Sequence, residues 1–145
     1  MERGAVLTAE ILLVEDDDAH AELIARSLER VTEGLRLQRV ADGEAAVARL
    51  EAQLAAGETL PRLILLDLRL PRMGGREVLE HVKEHPVLRR VPVVVLTTSK
   101  APDDVRDAYD RHANGYLVKP PALARLTAML GEVAHYWGEL NHVAS

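Results

Sequence analysis

The sequence predicts an α/β fold in which a parallel β-sheet lies between helices on both faces. Three observations carry that prediction. The runs Ile11-Leu12-Leu13-Val14, Leu63-Ile64-Leu65-Leu66 and Val91-Pro92-Val93-Val94-Val95-Leu96 are apolar without alternation, the pattern of strands covered on both sides. Between them, apolar residues recur at helical spacing. The two kinds of segment alternate strictly, which is the order of parallel strands joined by helical crossovers.

Ile11–Val14 gives the first strand and runs into Glu15-Asp16-Asp17-Asp18. Taken singly, Asp17 or Asp18 reads as the N-cap of the next helix, whose stripe is Leu23, Ile24, Leu28 and Val31. Leu37-Gln38-Arg39-Val40-Ala41 is a weaker strand, followed by a stripe of Val47, Leu50 and Leu54. Leu63–Leu66 stops at Asp67, and Val78, Leu79 and Val82 mark the third helix. The fourth strand stops at Thr97-Thr98-Ser99, and Val105, Ala108 and Tyr109 mark the fourth helix. Gly115-Tyr116-Leu117-Val118 gives a fifth strand ending at Lys119-Pro120.

In the last segment Leu123, Leu126, Leu130, Val133, Trp137 and Leu140 alternate spacings of three and four, the seam of a heptad pattern. Met129, Tyr136 and Val143 widen the stripe. A continuous helix over about residues 122–143, roughly 30 Å long, overruns the sheet. Leaving Tyr136, Trp137 and Leu140 in water costs on the order of 1–3 kcal/mol per large side chain. A homodimer through Met129, Leu130, Val133, Tyr136, Trp137 and Leu140 is therefore expected.

The 145 residues suit one domain, 1–145, with residues 1–9 as an N-terminal arm. Hydrophobic residues at 48% and charged residues at 28% are a globular composition. A net charge of −5 argues against general affinity for nucleic acid or anionic membranes. Without cysteine there is neither disulfide nor thiolate metal site. The N-terminus lacks the apolar core of a signal peptide, and no run approaches the ~20 residues of a membrane span. A cytoplasmic protein is expected. With no output domain after Ser145, it is expected to act by docking.

Ligands of open parallel sheets bind beyond the carboxyl ends of the strands. Glu15 and Asp16, then Asp67, then Thr97, then Lys119 follow four of the five strands and converge on one edge. Three carboxylates in one crevice repel each other unless a cation is held among them. Oxygen-only ligands select a hard ion such as Mg²⁺.

Four motifs extend the reading: Val14-Glu15-Asp16; Leu65-Leu66-Asp67-Leu68-Arg69-Leu70-Pro71 with Met73-Gly74-Gly75; Leu96-Thr97-Thr98; and Gly115-Tyr116-Leu117-Val118-Lys119-Pro120. In this order and spacing the chain resembles, over nearly its whole length, the receiver domains of two-component signalling. The resemblance implies a flavodoxin-like (βα)5 fold, doubly wound, with strand order 2-1-3-4-5. It implies Asp67 as the acceptor of a phosphoryl group from a histidine kinase, in a Mg²⁺-dependent reaction. Asp16, Asp67 and the backbone carbonyl of Arg69 would be metal ligands, with Glu15 acting through metal-bound water. Thr97 and Lys119 would contact phosphoryl oxygens, and Lys119-Pro120 would be a cis peptide. Thr97 and Tyr116 would form the switch that alters the surface of the fourth helix, fifth strand and fifth helix. Arg69 and Ser99 stand at variable positions flanking the phosphoryl group, and Arg69 is expected to shield it from water. Arg76-Glu77-Val78-Leu79, Val93–Ser99 and Tyr109-Asp110-Arg111-His112 are similar to regulators paired with bacterial phytochrome histidine kinases.

Competing chemistries lack parts. A haloacid-dehalogenase-like phosphatase needs a second aspartate where Arg69 stands. A flavin phosphate would be repelled by Glu15-Asp16-Asp17-Asp18. An EF-hand counted from Asp16 has no glycine at its sixth position. His81-Val82-Lys83-Glu84-His85 fits the H-x-x-E-H zinc pattern, but Val78, Leu79 and Val82 are needed for the core, which leaves both histidines on a solvated face. A phosphorylation-independent docking module is the remaining alternative.

Overall fold

The computed structural model describes residues 10–31, 34 and 36–144, apart from the side chain of Val31. The expected N-terminal arm, residues 1–9, lies outside them. Five strands alternate with five helices: β1 (Glu10–Val14), α1 (Asp18–Val31), β2 (Arg36–Val40), α2 (Gly43–Ala56), β3 (Leu63–Leu66), α3 (Gly75–Glu84), β4 (Val93–Thr97), α4 (Pro102–Asp110), β5 (Gly115–Val118) and α5 (Leu123–His135). The strands form one parallel sheet in the order β2-β1-β3-β4-β5. The predicted topology is met strand for strand.

The unbroken apolar strands follow from two cores. Leu12, Val14, Ile64, Leu66, Val93 and Val95 point to the side of α2 and α3, joined there by Leu50, Val78, Leu79 and Val82. Ile11, Leu13, Leu63, Leu65, Val94 and Leu96 point to the side of α1 and α5, against Ile24, Leu28, Leu126 and Leu130. Successive side chains of a strand alternate faces, so burial on both faces demands an apolar residue at every position. β2, on the sheet edge, is only partly buried, which is why its sequence signal is weak.

Local signals set the helix ends. Asp42 caps α2, its carboxylate accepting the Ala45 N–H at 2.8 Å, and Gly57 closes that helix with φ +70°. Pro102 starts α4, where a missing N–H costs nothing. In α4 only Ala108 is fully buried; Tyr109, expected in the stripe, is 50% exposed.

The C-terminal segment carries the expected helix past the sheet, with a change of type in its last turn. α5 ends at His135, and Tyr136–Leu140 continue as a wider π-type turn closed by the Asn141 N–H on the Tyr136 carbonyl at 2.7 Å. The Arg62 guanidinium, just before β3, donates to the Gly138 carbonyl at 2.6 Å and ties this turn to the sheet. The expected extended C-terminal helix is therefore present from Leu123 to Leu140, its last turn π-type and its end three residues short of 143. Among the described residues, no helix is long and apolar enough to cross a membrane.

Candidate functional site

The site is built where β1 and β3 end side by side. The Asp67 N–H donates to the Val14 carbonyl at 3.1 Å, carrying the β1–β3 pairing one step beyond both strands. The Glu15 N–H likewise reaches the Val40 carbonyl of β2 at 3.1 Å. Glu15, Asp16 and Asp67 each offer a carboxylate oxygen, and these oxygens lie within 4.8 Å of one another. Glu15 is buried, Asp67 half-buried and Asp16 exposed.

Lys119 enters from the far side of the sheet. Its backbone N–H continues the β4–β5 pairing onto the Thr97 carbonyl at 2.7 Å. Its buried ammonium donates to Glu15 Oε1 at 2.5 Å and to Asp67 Oδ2 at 3.3 Å. Burying two charges costs more than burying neutral groups unless they pair closely. Burial pushes the Glu15 carboxyl above its ordinary pKa, and the bond from Lys119 opposes that shift. The expected cis Lys119-Pro120 bond is not found: among the described residues every peptide is trans. Trans is the lower-energy isomer even before proline, and the pairing of Lys119 with Thr97 already brings the ammonium to the carboxylates.

Asp67 uses its second oxygen locally, Oδ1 accepting the Arg69 N–H at 3.1 Å. The cleft around it is lined by Glu15, Asp16, Asp17, His20, Asp67, Arg69, Thr98 and Lys119. Thr97, expected at the phosphoryl group, is buried just behind this wall, and its Oγ1 accepts the Ser99 N–H at 3.4 Å. The Tyr116 hydroxyl donates to the Ser99 carbonyl at 2.8 Å. Ser99 thus bridges Thr97 and Tyr116, while its own hydroxyl donates to Asp104 at 2.5 Å on α4.

Three cleft residues were not assigned to the site from sequence: Asp17, read there only as an N-cap, His20 and Thr98. Asp17 does cap α1, accepting the His20 N–H at 2.9 Å, and this bond holds its carboxyl below the usual range. His20 lies one helical turn beyond Asp16 and Asp17, so i,i+4 and i,i+3 spacing from the acidic run was the available signal. Thr98 was masked by its neighbour Thr97.

Of the residues expected at a dimer surface, Leu130 and Val133 belong to the chain's own core. Met129 and Trp137 are half-buried against it, while Tyr136 and Leu140 are 48% and 56% exposed. The H-x-x-E-H pair is separated by its bonding. His81 Nε2 meets Glu51 at 2.9 Å, whereas His85 Nδ1 accepts the N–H groups of Val87 and Leu88 at 3.0 and 3.2 Å.

Three carboxylates facing one point, with no sulfur or imidazole among them, fit a hard divalent cation. The residues present therefore suit the Mg²⁺ expected from sequence.

Comparison with known proteins bears on this geometry. The family model for the response regulator receiver domain matches residues 11–131. The probable methanogenesis regulatory protein FilR2 of Methanothrix harundinacea is 47% identical over 141 residues, 94% of this chain and 91% of that protein. Response regulator Rcp1 of Synechocystis is 46% identical over 131 residues, 89% of this chain and 88% of that protein. Its Mn²⁺-bound crystal structure superposes with a TM-score of 0.85 at 41% identity, covering 94% of this chain and 99% of that one. The phosphorylated cyanobacterial phytochrome response regulator RcpA superposes with a TM-score of 0.87 at 40% identity, over 94% of this chain and 99% of that one.

Proposed function

The chain belongs to the response regulator receiver family, and from that premise we propose that it accepts a phosphoryl group on Asp67 from a histidine kinase in a Mg²⁺-dependent reaction. The observation that carries this reading is the position of Asp67: half-buried, one oxygen 3.3 Å from the Lys119 ammonium, and grouped with Glu15 and Asp16. An Asp67 oxygen attacks phosphorus as the donor's P–N bond breaks and the imidazole leaves. Such transfers pass through a loose transition state, so the protein's task is alignment and neutralisation of the equatorial oxygens. Lys119 exchanges Asp67 Oδ2 for a phosphoryl oxygen. Asp16, Asp67 and the Arg69 carbonyl would hold Mg²⁺, with Glu15 acting through metal-bound water. When bound, the ion supplies positive charge to the phosphoryl oxygens and offsets the carboxylate cluster.

Labelling with acetyl phosphate or phosphoramidate, followed by intact mass, tests the reading. The expected result is one added phosphoryl group, dependent on Mg²⁺ and absent in Asp67→Asn. An unlabelled wild type would favour a phosphorylation-independent docking module. Arg69, exposed on the cleft rim, shields the acyl phosphate; Arg69→Ala should shorten its half-life, and an unchanged half-life removes that role.

The signal leaves through Thr97 and Tyr116 to the α4-β5-α5 surface. Support comes from the Ser99 bridge, which joins both side chains to Asp104 of α4. The upstream partner we assign is a histidine kinase of the phytochrome type, supported by Rcp1 and RcpA, with this chain acting in the cytoplasm. FilR2, equally similar and named for methanogenesis, makes kinetic preference the deciding measurement. Faster phosphotransfer from a phytochrome kinase than from an unrelated kinase is expected, and equal rates would remove the assignment. Homodimerisation through Tyr136, Leu140, Met129 and Trp137 is the accompanying proposal, supported by the exposed tyrosine and leucine. Sedimentation equilibrium should show a dimer that Leu140→Glu dissociates; a monomeric wild type would end that idea.

A further inference from the structure

His20 stands in the first turn of α1 with its ring on the acidic cleft. Its Nδ1 lies 3.4 Å from the Lys119 ammonium, and its backbone is fixed by the bond from its N–H to Asp17. We infer that His20 is a positioning residue of the phosphoryl site, accepting one hydrogen of the Lys119 ammonium and so holding it between Glu15 and Asp67. This rests on the reading of Asp67 as phosphoacceptor and names a residue that completes its site.

An ammonium has three hydrogens and no acceptor of its own. Lys119 has three partners within reach: Glu15 Oε1 at 2.5 Å, Asp67 Oδ2 at 3.3 Å and His20 Nδ1 at 3.4 Å. The first contact is much the shortest, so Glu15 pulls the lysine toward the buried end of the cleft. His20 is exposed and supplies a contact at the open end of the cleft. When Asp67 takes the phosphoryl group, only the hydrogen directed at Asp67 has to change partner; the bonds to Glu15 and His20 keep the flexible side chain aimed. Acceptance at Nδ1 requires the tautomer that carries its hydrogen on Nε2. An ordinary exposed helix residue would need neither this orientation nor this neighbour.

The test compares phosphorylation rates from saturating phosphoramidate at about pH 8, where an ordinary histidine is neutral. His20→Leu removes the acceptor and keeps bulk, while His20→Asn returns an acceptor near the Nδ1 position. Loss of one long hydrogen bond, 3.4 Å in the structure, should slow His20→Leu by about 3- to 10-fold. His20→Asn should recover to within about two-fold of wild type. The Mg²⁺ concentration for half-maximal rate should stay put, since Glu15, Asp16 and Asp67 are intact. A merely structural role would give no rescue by asparagine. Wild-type rates in His20→Leu, or an asparagine variant as slow as leucine, would overturn the inference. If the leucine variant melts early, His20→Ala takes its place in the same comparison. Failure of the wild type itself to gain a phosphoryl group on Asp67 would bring down the underlying reading, and this inference with it. Labelling of Asp67 at equal rates in both proteins would bring down the role of His20 alone.

Discussion

At Glu15 two opposing effects meet: burial raises the proton affinity of the carboxyl, and the Lys119 bond lowers it, with burial the larger. A carboxyl that binds its proton more tightly folded than unfolded stabilises the fold below its ordinary value of 4.5 and withdraws that contribution as pH rises through the folded value. In Mg²⁺-free buffer, the urea midpoint of the wild type should therefore fall relative to Glu15→Gln as pH climbs from 4.5 toward neutrality. Parallel pH profiles would contradict it. Gly75 makes a different residue-scale demand. A β-carbon there would stand 2.2 Å from the Asp67 carbonyl oxygen and 2.7 Å from Leu68 Cα, and neither is a side chain able to swing away. Gly75→Ala should cost about 1–3 kcal/mol by overpacking, read from urea melts, and should slow phosphorylation because the displaced backbone is that of Asp67. The sequence displayed the glycine and the aspartate but not their contact, because they are neighbours only after the chain has turned into α3. Asp67, Glu15, Asp16 and Lys119 were legible because a charge directly after an apolar strand is conspicuous. His20 and Thr98 carry no such contrast with their surroundings.

Periodicity at the scale of the element told where the apolar stripe of α5 lies, but not what covers it. A three-and-four alternation is the same whether a helix faces its own sheet or another molecule. Here Leu126, Leu130 and Val133 face the sheet, Trp137 in the π-type turn is half-buried against the same core, and Tyr136 and Leu140 stay exposed. The Arg62–Gly138 bond fixes that turn, a tertiary contact with no local sequence mark. Arg62→Ala should remove on the order of 1 kcal/mol from the turn. Hydrogen exchange at residues 136–141 should then speed up while the β1 and β3 amides stay protected. Uniform acceleration across the chain would show instead that Arg62 supports the whole fold.

Over the whole molecule the sequence was most informative. Continuous apolar strands and strict alternation with helices require a doubly covered parallel sheet, and the order β2-β1-β3-β4-β5 puts the reversal between β1 and β3, where Glu15, Asp16 and Asp67 meet. Carboxylates gathered there repel one another in the folded state more than in the unfolded chain. A cation bound only by the folded state adds stability by mass action, about 2.7 kcal/mol at a hundredfold excess over its dissociation constant. Mg²⁺ should raise the melting temperature of the wild type, and Asp16→Asn should remove most of that increase. An equal rise in both proteins would place the ion elsewhere.

The chain has one tryptophan and no phenylalanine. That indole, Trp137, packs edge-on against Tyr136 with ring centroids 4.8 Å apart. It lies in the turn held by Arg62, at the entrance of β3, whereas Asp67 follows the exit of the same strand. Five residues of extended chain separate them, roughly 17 Å. The protein therefore carries an optical probe at the opposite rim from Asp67 and the phosphoryl transfer proposed there. Any shift in its emission on phosphorylation would measure motion conveyed across the sheet, and a constant spectrum would confine that motion to the α4 side.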